Sequence, residues 1–329
     1  MLIIWYQQRD TWHKSGTIKK IYQSKSLKAL LRKGIYTMAI IQWYPGHMAK
    51  ALRQAKENLK TVDIVLELVD ARLPESSRNP ELKSILENKP AIIVLTKMDL
   101  ADPKQTKKWL NYYETSGQPA VSVNSTNGSL KVIEKKINTV LADKLAKRAE
   151  KGIQSKKISV MCIGIPNVGK STLLNHMVKK NVASVGDKPG VTKKQQWLKA
   201  GKNLQLLDTP GILWPKFEDP LVGQKLALTG AIKDQLFHDD DIALYAIEFF
   251  KENGAPYLQK RYSLTENEMS ASDVDTLLAI TKKAGFRDDY ERGAQRLIQD
   301  IRNQKLGRYT LDTVPQTIAS DSKKADPNE

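Results

Sequence analysis

Ile158-Ser-Val-Met-Cys-Ile-Gly-Ile-Pro-Asn-Val-Gly-Lys-Ser171 decides the fold. An unbroken β-rich apolar run feeds G-x-x-x-x-G-K-S, and a helical pattern follows from Lys170 to Lys180. That strand–loop–helix context is the one a phosphate-binding P-loop requires. Backbone N–H groups of such a loop and of the helix start can cradle phosphates, which assigns Gly164, Asn167, Val168, Gly169, Lys170, Ser171, Thr172 and Leu173 to phosphate binding. Lys170 can reach the β- and γ-phosphates, and the Ser171 hydroxyl can hold Mg²⁺.

Outward from this loop, the chain from Met38 reads as an α/β domain. Apolar strands are expected at 62–69, 91–95, 120–123, 158–163 and 204–207, with helices between most of them at 80–87, 103–113, 130–148 and 170–180. Continuous apolar strands alternating with helices imply a mainly parallel sheet covered on both faces. Such a sheet binds ligands beyond the carboxyl ends of its strands. The strand at 204–207 ends in Asp208-Thr-Pro-Gly211, where Asp208 can support Mg²⁺ and the Gly211 N–H can approach a γ-phosphate. Lys188-Pro-Gly-Val-Thr192 lies before it, with Thr192 placed to complete the Mg²⁺ shell and sense the γ-phosphate. The strand at 91–95 ends in Thr96-Lys-Met-Asp99, which resembles the guanine-specifying N/T-K-x-D motif of GTPases. Asp99 would accept from guanine N1–H and the 2-amino group, which adenine cannot offer, with Lys97 along the ring plane and Met98 between them. Asn124-Ser125, after the third strand, is a looser match to the segment that meets the guanine carbonyl.

The base motif precedes the P-loop, the reverse of most Ras-like GTPases. Compact domains often have neighbouring termini, so the same sheet can be built in either order. The expected class is therefore a circularly permuted Ras-like P-loop GTPase domain followed by a small all-α domain. After about Trp214 only helices are expected, over 239–253, from 272 or 273 to Gly285, and over 290–303. On the last, Ala294, Leu297, Ile298 and Ile301 share one side, with Arg292, Arg296 and Arg302 opposite. The expected boundaries are 1–37 for a basic extension, 38–216 for the GTPase domain, 217–312 for the helical domain and 313–329 for a disordered tail. Because Asp208–Gly211 leads directly into the helices, nucleotide state is expected to reorient them.

The chain has 329 residues, 53 Lys and Arg against 36 Asp and Glu, and a formal charge of +17. That length suits about two domains. With 40% hydrophobic and 27% charged residues it has the composition of a folded, soluble protein. A single cysteine, Cys162, excludes a disulfide framework and points to a reducing compartment, so a cytoplasmic protein without stable membrane association is expected. The positive balance suggests a polyanionic partner. Residues 1–37 carry +7 of it, leaving +10 elsewhere. That segment reads as an upstream extension from a misassigned start, with a transit peptide or a nucleic-acid arm as alternatives. Residues 131–157 hold nine Lys and Arg against three acidic residues. By itself this basic face, like that of 290–303, fits a solvated surface as well as RNA contact.

The chain is further similar to the ribosome biogenesis GTPase A (YlqF-type) family. The residues that carry the likeness are Gln42-Trp-Tyr-Pro-Gly-His-Met-Ala-Lys50, Glu67-Leu-Val-Asp-Ala-Arg72, Ser76-Ser-Arg-Asn79, Asp208-Thr-Pro-Gly-Ile-Leu-Trp-Pro-Lys-Phe217, Asp300-Ile-Arg302 and Gly307-Arg308. It spans about residues 38–310. The resemblance implies a bacterial GTPase that binds the precursor of the large (50S) ribosomal subunit late in its assembly, and a monomer is expected. Hydrolysis, stimulated by the particle, would then time release. A GTP-gated rRNA-binding placeholder, in which hydrolysis is incidental, is the alternative. Two departures from ordinary GTPases bear on catalysis. Ile212 stands where many carry a water-orienting Gln, and the resemblance points to His47 for that role. Asn167 resembles the asparagine that binds K⁺ in cation-activated GTPases, which makes K⁺ a candidate beside Mg²⁺.

Overall fold

The computed structural model describes residues 46–86, 89–125, 131–153, 157–178, 196–215 and 217–315. The first half is built from α1 (Gly46–Asn58), β1 (Ile64–Asp70), α2 (Pro80–Leu86), β2 (Ala91–Thr96), α3 (Pro103–Thr115), β3 (Ala120–Ser122), α4 (Lys131–Val140) and α5 (Ala142–Glu150). β4 (Ile158–Gly164), α6 (Lys170–Val178), β5 (Gln196–Ala200) and β6 (Leu204–Asp208) complete the sheet. Among the described residues only helices follow: α7 (Pro220–Leu228), a 3₁₀ turn at Asp234–Leu236, α8 (Asp239–Asn253), α9 (Ala255–Tyr262), α10 (Glu266–Ser270), α11 (Asp273–Lys283) and α12 (Tyr290–Arg302). No helix among the described residues is long and apolar enough to cross a membrane.

The six strands lie in the order β3-β2-β1-β4-β6-β5, all parallel except β5, which runs antiparallel to β6. Every residue of β1 is buried, which a strand covered on both faces must be. Val65 packs with Ala51 and Ala55 of α1, Leu82 and Leu86 of α2, and Met161, Ile163 and Leu207 of the neighbouring strands. Val69, on the same side, packs with Trp109 and Tyr113 of α3. Ile64, Leu66 and Leu68 alternate to the other side and are equally buried. Glu67 is the charged interruption of this run. Both of its oxygens accept from Arg78, at 3.0 and 2.8 Å, so the buried carboxylate is paired.

Several features depart from the sequence expectation, among them the unexpected helices α7, α9 and α10. β5 is an edge strand with Trp197 and Lys199 outward, so it has no continuous apolar run. The single helix expected over 130–148 divides at Leu141, whose φ of −99° and ψ of 10° leave the helical basin. α5 beyond it buries nothing and is tied to the sheet through Asp63, which pairs with Lys144 at 2.8 Å and with Arg148. Arg302 does not share the outward face of Arg292 and Arg296. Its Nε donates to Leu228 O at 3.1 Å and its Nη2 to Ala227 O at 2.7 Å, so it caps the last carbonyls of α7, and it pairs with Asp234 at 2.8 Å.

The segment after α12 returns to the first half of the chain. Leu311 N donates to Arg72 O at 2.8 Å, and Asp312 accepts from Ser76 N, Ser76 Oγ and Glu75 N while pairing with Lys225. Val314 still packs against the Trp109 cluster.

Candidate nucleotide site

Parallel register brings the strand ends to one edge. Leu68 lies opposite Gly164, Asp70 opposite Thr96 and Cys162 opposite Asp208. At Gly164 the backbone turns with φ +155°, and a Cβ there would sit 2.5 Å from Leu68 O, so no other residue fits. Lys170 is buried and donates to Gly164 O at 3.0 Å and Ile165 O at 2.8 Å. Burial pushes its ammonium down to about 8, against the pull of the Asp208 charge. A lysine holding its own loop's carbonyls is in place to exchange them for phosphate oxygens.

Asp208 is wholly buried, and among the described residues neither carboxylate oxygen has a partner in good hydrogen-bond geometry. Gln196 and the Thr209 N–H lie beside it and favour its charged form. Burial raises its pKa despite Lys170 nearby. A buried carboxylate this poorly satisfied suits a cation, and hard oxygen donors suit Mg²⁺. The residues present therefore fit the ion. Three residues on, a Cβ at Gly211 would lie 2.7 Å from Pro166 N, so this backbone can press against the phosphate loop only as glycine. Ile212 N donates to Gly164 O at 3.2 Å, and Asn79 Nδ2 donates to Ile212 O at 3.0 Å. The Ile212 side chain is fully buried with Ala51 and Ala55 of α1.

The base motif is joined to the P-loop through side chains. Thr96 Oγ1 lies 2.5 Å from Val168 O and 2.9 Å from Val69 O, its one proton serving either carbonyl. Lys97, in the left-handed region at φ +53°, donates to Asn167 O at 2.6 Å and lies 3.1 Å from Asp70 Oδ2. Asn167, itself left-handed, donates Nδ2 to Gly230 O at 2.8 Å, just past α7. Met98 and Asp99 follow on the turn with Met98 exposed. Asn124 is half-buried, and Ser125 is buried, its Oγ without a partner among the described residues. His176 Nδ1 lies 3.0 Å from Ser125 O. A carbonyl only accepts, so Nδ1 carries the proton. Ser171 and Thr172 are half-buried in the first turn of α6, with Leu173 behind them.

The structure thus gathers Thr96, Lys97, Asn167–Ser171, Asp208 and Gly211 at one edge. Thr192 lies outside the described residues. Of His47 only the backbone is described, in the first turn of α1. Sequence reasoning gave no role to Asp70, Arg72, Asn79 or His176. Asp70, Arg72 and Asn79 lie in the stretches that carry the family likeness, and Asp70 also stands directly after an apolar run.

Comparison with known proteins agrees with this geometry. A family profile described as "50S ribosome-binding GTPase" matches residues 159–282, and one described as "RsgA GTPase" matches residues 58–218. The ribosome biogenesis GTPase A of Bacillus licheniformis is 50% identical over 280 residues, covering 83% of this chain and 98% of that protein. Its counterpart from Bacillus cereus is 47% identical over 280 residues, covering 83% and 94%. A crystal structure of GNP-bound YlqF from T. maritima superposes with a TM-score of 0.56 at 25% identity, over 79% of this chain and 97% of that one. With likeness of that extent and the base motif ahead of the P-loop on one mainly parallel sheet, this chain belongs to the ribosome biogenesis GTPase A family of circularly permuted, GTP-hydrolysing enzymes.

Proposed function

We propose that the chain binds the precursor of the large ribosomal subunit and hydrolyses GTP to time its release. One observation carries the chemistry: Lys97, Asn167, Lys170 and the poorly satisfied Asp208 converge on one strand edge. Guanine would be read by Asp99, with Thr96, Lys97, Met98, Asn124 and Ser125 around it. The phosphates would lie along 164–173 and Gly211. Ser171, Asp208 and Thr192 would hold Mg²⁺, which when bound neutralises charge on the phosphates. Lys170 would release its carbonyls to the phosphate oxygens. Asn167 Nδ2 is committed to Gly230, so Oδ1 is the side-chain atom that could ligate K⁺. Faster turnover in KCl than in NaCl is expected, and equal rates would remove K⁺ from the reading.

The partner is inferred from charge and kinship. α1 exposes Lys50, Arg53 and Lys56 opposite its buried Met48, Ala51 and Ala55. α12 exposes Arg296, and its Arg292 stacks 4.6 Å over Phe286. Arg261, Arg296 and Lys305 all surround the single buried carboxylate of Asp300, leaving that patch positive. Such patches suit rRNA phosphates. Co-sedimentation with large-subunit precursors should show retention with a non-hydrolysable analogue, release with GTP, and weakening as salt rises. Equal retention with GTP and analogue while GTP is consumed would favour the placeholder reading.

A further inference from the structure

Asp70 ends β1 beside the base motif, and its buried carboxylate is shared by two cations. Oδ1 accepts from Arg72 N at 3.0 Å and Arg72 Nε at 2.9 Å, while Oδ2 accepts from Arg72 Nη2 at 2.7 Å and lies 3.1 Å from Lys97 Nζ. Neither its place nor its charge is incidental. Lys97 sits in a backbone conformation uncommon for a side-chain-bearing residue, and its ammonium spans Asp70 and the P-loop carbonyl of Asn167. Without the carboxylate, two cations would face each other at the edge of the site with one carbonyl between them.

Arg72 carries the arrangement outward. Its Nη1 donates to Tyr309 OH at 3.1 Å and its Nη2 approaches Thr229 O at 3.4 Å. The segment bearing Tyr309 also lies along the chain that leaves the base motif. Tyr309 N donates to Leu100 O at 3.3 Å, and Asp102 N donates to Thr310 Oγ1 at 3.2 Å. Residues 97–102 are therefore held from one side by Asp70 and from the other by 309–310. The Tyr309 ring meets Phe250 of α8 at 5.6 Å, so the same tyrosine also rests on the helical region.

We propose that Asp70 is a positioning residue for the guanine-reading Lys97, and that Arg72 and Tyr309 make guanine-nucleotide affinity depend on the docked C-terminal segment. This rests on the guanine reading of Thr96–Asp99. Asp70 and Tyr309 touch no nucleotide in this scheme; they act through Lys97 and its loop.

The test uses the full chain and measures GDP Kd together with KM and kcat for GTP. Asp70→Asn should raise Kd and KM by about tenfold with kcat within about twofold, the signature of lost binding rather than lost chemistry. Tyr309→Phe, which keeps the ring on Phe250 and removes only the hydroxyl, should move the same constants by about threefold. It decides the matter if Asp70→Asn fails to fold. The two changes should be non-additive in the double variant, because they lie on one chain of contacts. Unchanged Kd and KM in Tyr309→Phe, or a fall in kcat alone, would overturn the proposal. Asp99→Asn separates the two readings, since an amide there should transfer preference from guanosine to xanthosine diphosphate. No transfer would overturn the guanine reading and this proposal with it, whereas transfer with unmoved Asp70 and Tyr309 variants would overturn this proposal alone.

Discussion

Ile212 follows the Asp208–Gly211 turn with its side chain fully buried against α1. An apolar group facing the core cannot orient a water molecule, so hydrolysis needs a polar group from another element. α1 leads through a short turn into β1 and packs along it through Ala51 and Ala55, so it runs antiparallel to the strand and begins at the sheet edge that carries the P-loop. Its first turn contains His47. His47→Ala should therefore leave the GTP Kd within about twofold and lower particle-stimulated turnover by about a hundredfold, the range expected for loss of a general acid–base or water-orienting group. Stimulated single-turnover rates check it, and near-normal stimulation would remove His47 from the chemistry. The residues proposed for phosphate and base chemistry stand out in the sequence because loop geometry imposes their spacing, as in Gly164–Ser171 and Thr96–Asp99. Asp70 and Arg72 were not legible as machinery. Their partners Lys97 and Tyr309 come from distant sequence, the Arg72–Tyr309 contact spanning 237 positions, and no local pattern encodes such a pairing.

Elements with one clear periodicity were read well, and those under competing demands were not. The parallel strands are buried on both faces and show as apolar runs. α11 has its Ser272 cap and a left-handed Gly285 beyond its end, and α12 buries Ala294, Leu297, Ile298 and Ile301 as its spacing requires. α7 went unseen because it is apolar on several sides, burying Gly223, Gln224, Leu226, Ala227 and Leu228, and it contains a helix-weakening glycine. Only its Asp219-Pro220 start, where Asp219 accepts from Leu221 N at 2.8 Å, carried a local signal. β5 alternates over five residues at a sheet edge, too short to stand out from a turn. Arg302 shows the limit of helical-wheel reasoning. Position on the polar side of α12 says where the side chain starts, and the open carbonyls at the end of α7 decide where it goes.

At the scale of the molecule, the permuted order determines how a nucleotide could move the helices. Asp208 and Gly211 lead through buried Trp214, which meets Phe217 edge-on at 5.1 Å, into α7. The far end of α7 returns to the site, where Gly230 O accepts from Asn167 and Thr229 O faces Arg72. Arg302 of α12 grips the same end. One helix is thus attached at its start to the segment proposed to meet the γ-phosphate and at its end to the P-loop, and it carries the last helix with it. Packed elements of this kind shift between discrete arrangements rather than deform smoothly. Paired labels at Ser84→Cys on α2 and Glu252→Cys on α8 should report the shift, since Ser84 and Glu252 are exposed and Cys162 is buried away from reagent. Their separation is expected to change by about 5 Å between GDP and a non-hydrolysable GTP analogue, the one-turn step by which one packed element ratchets past another. Asn167→Ala should shrink that difference by cutting the Gly230 attachment while leaving the Arg302 cap in place. Superimposable distance distributions in the two nucleotide states would mean that α7 transmits nothing, and that the helical region serves only as a fixed platform for its partner.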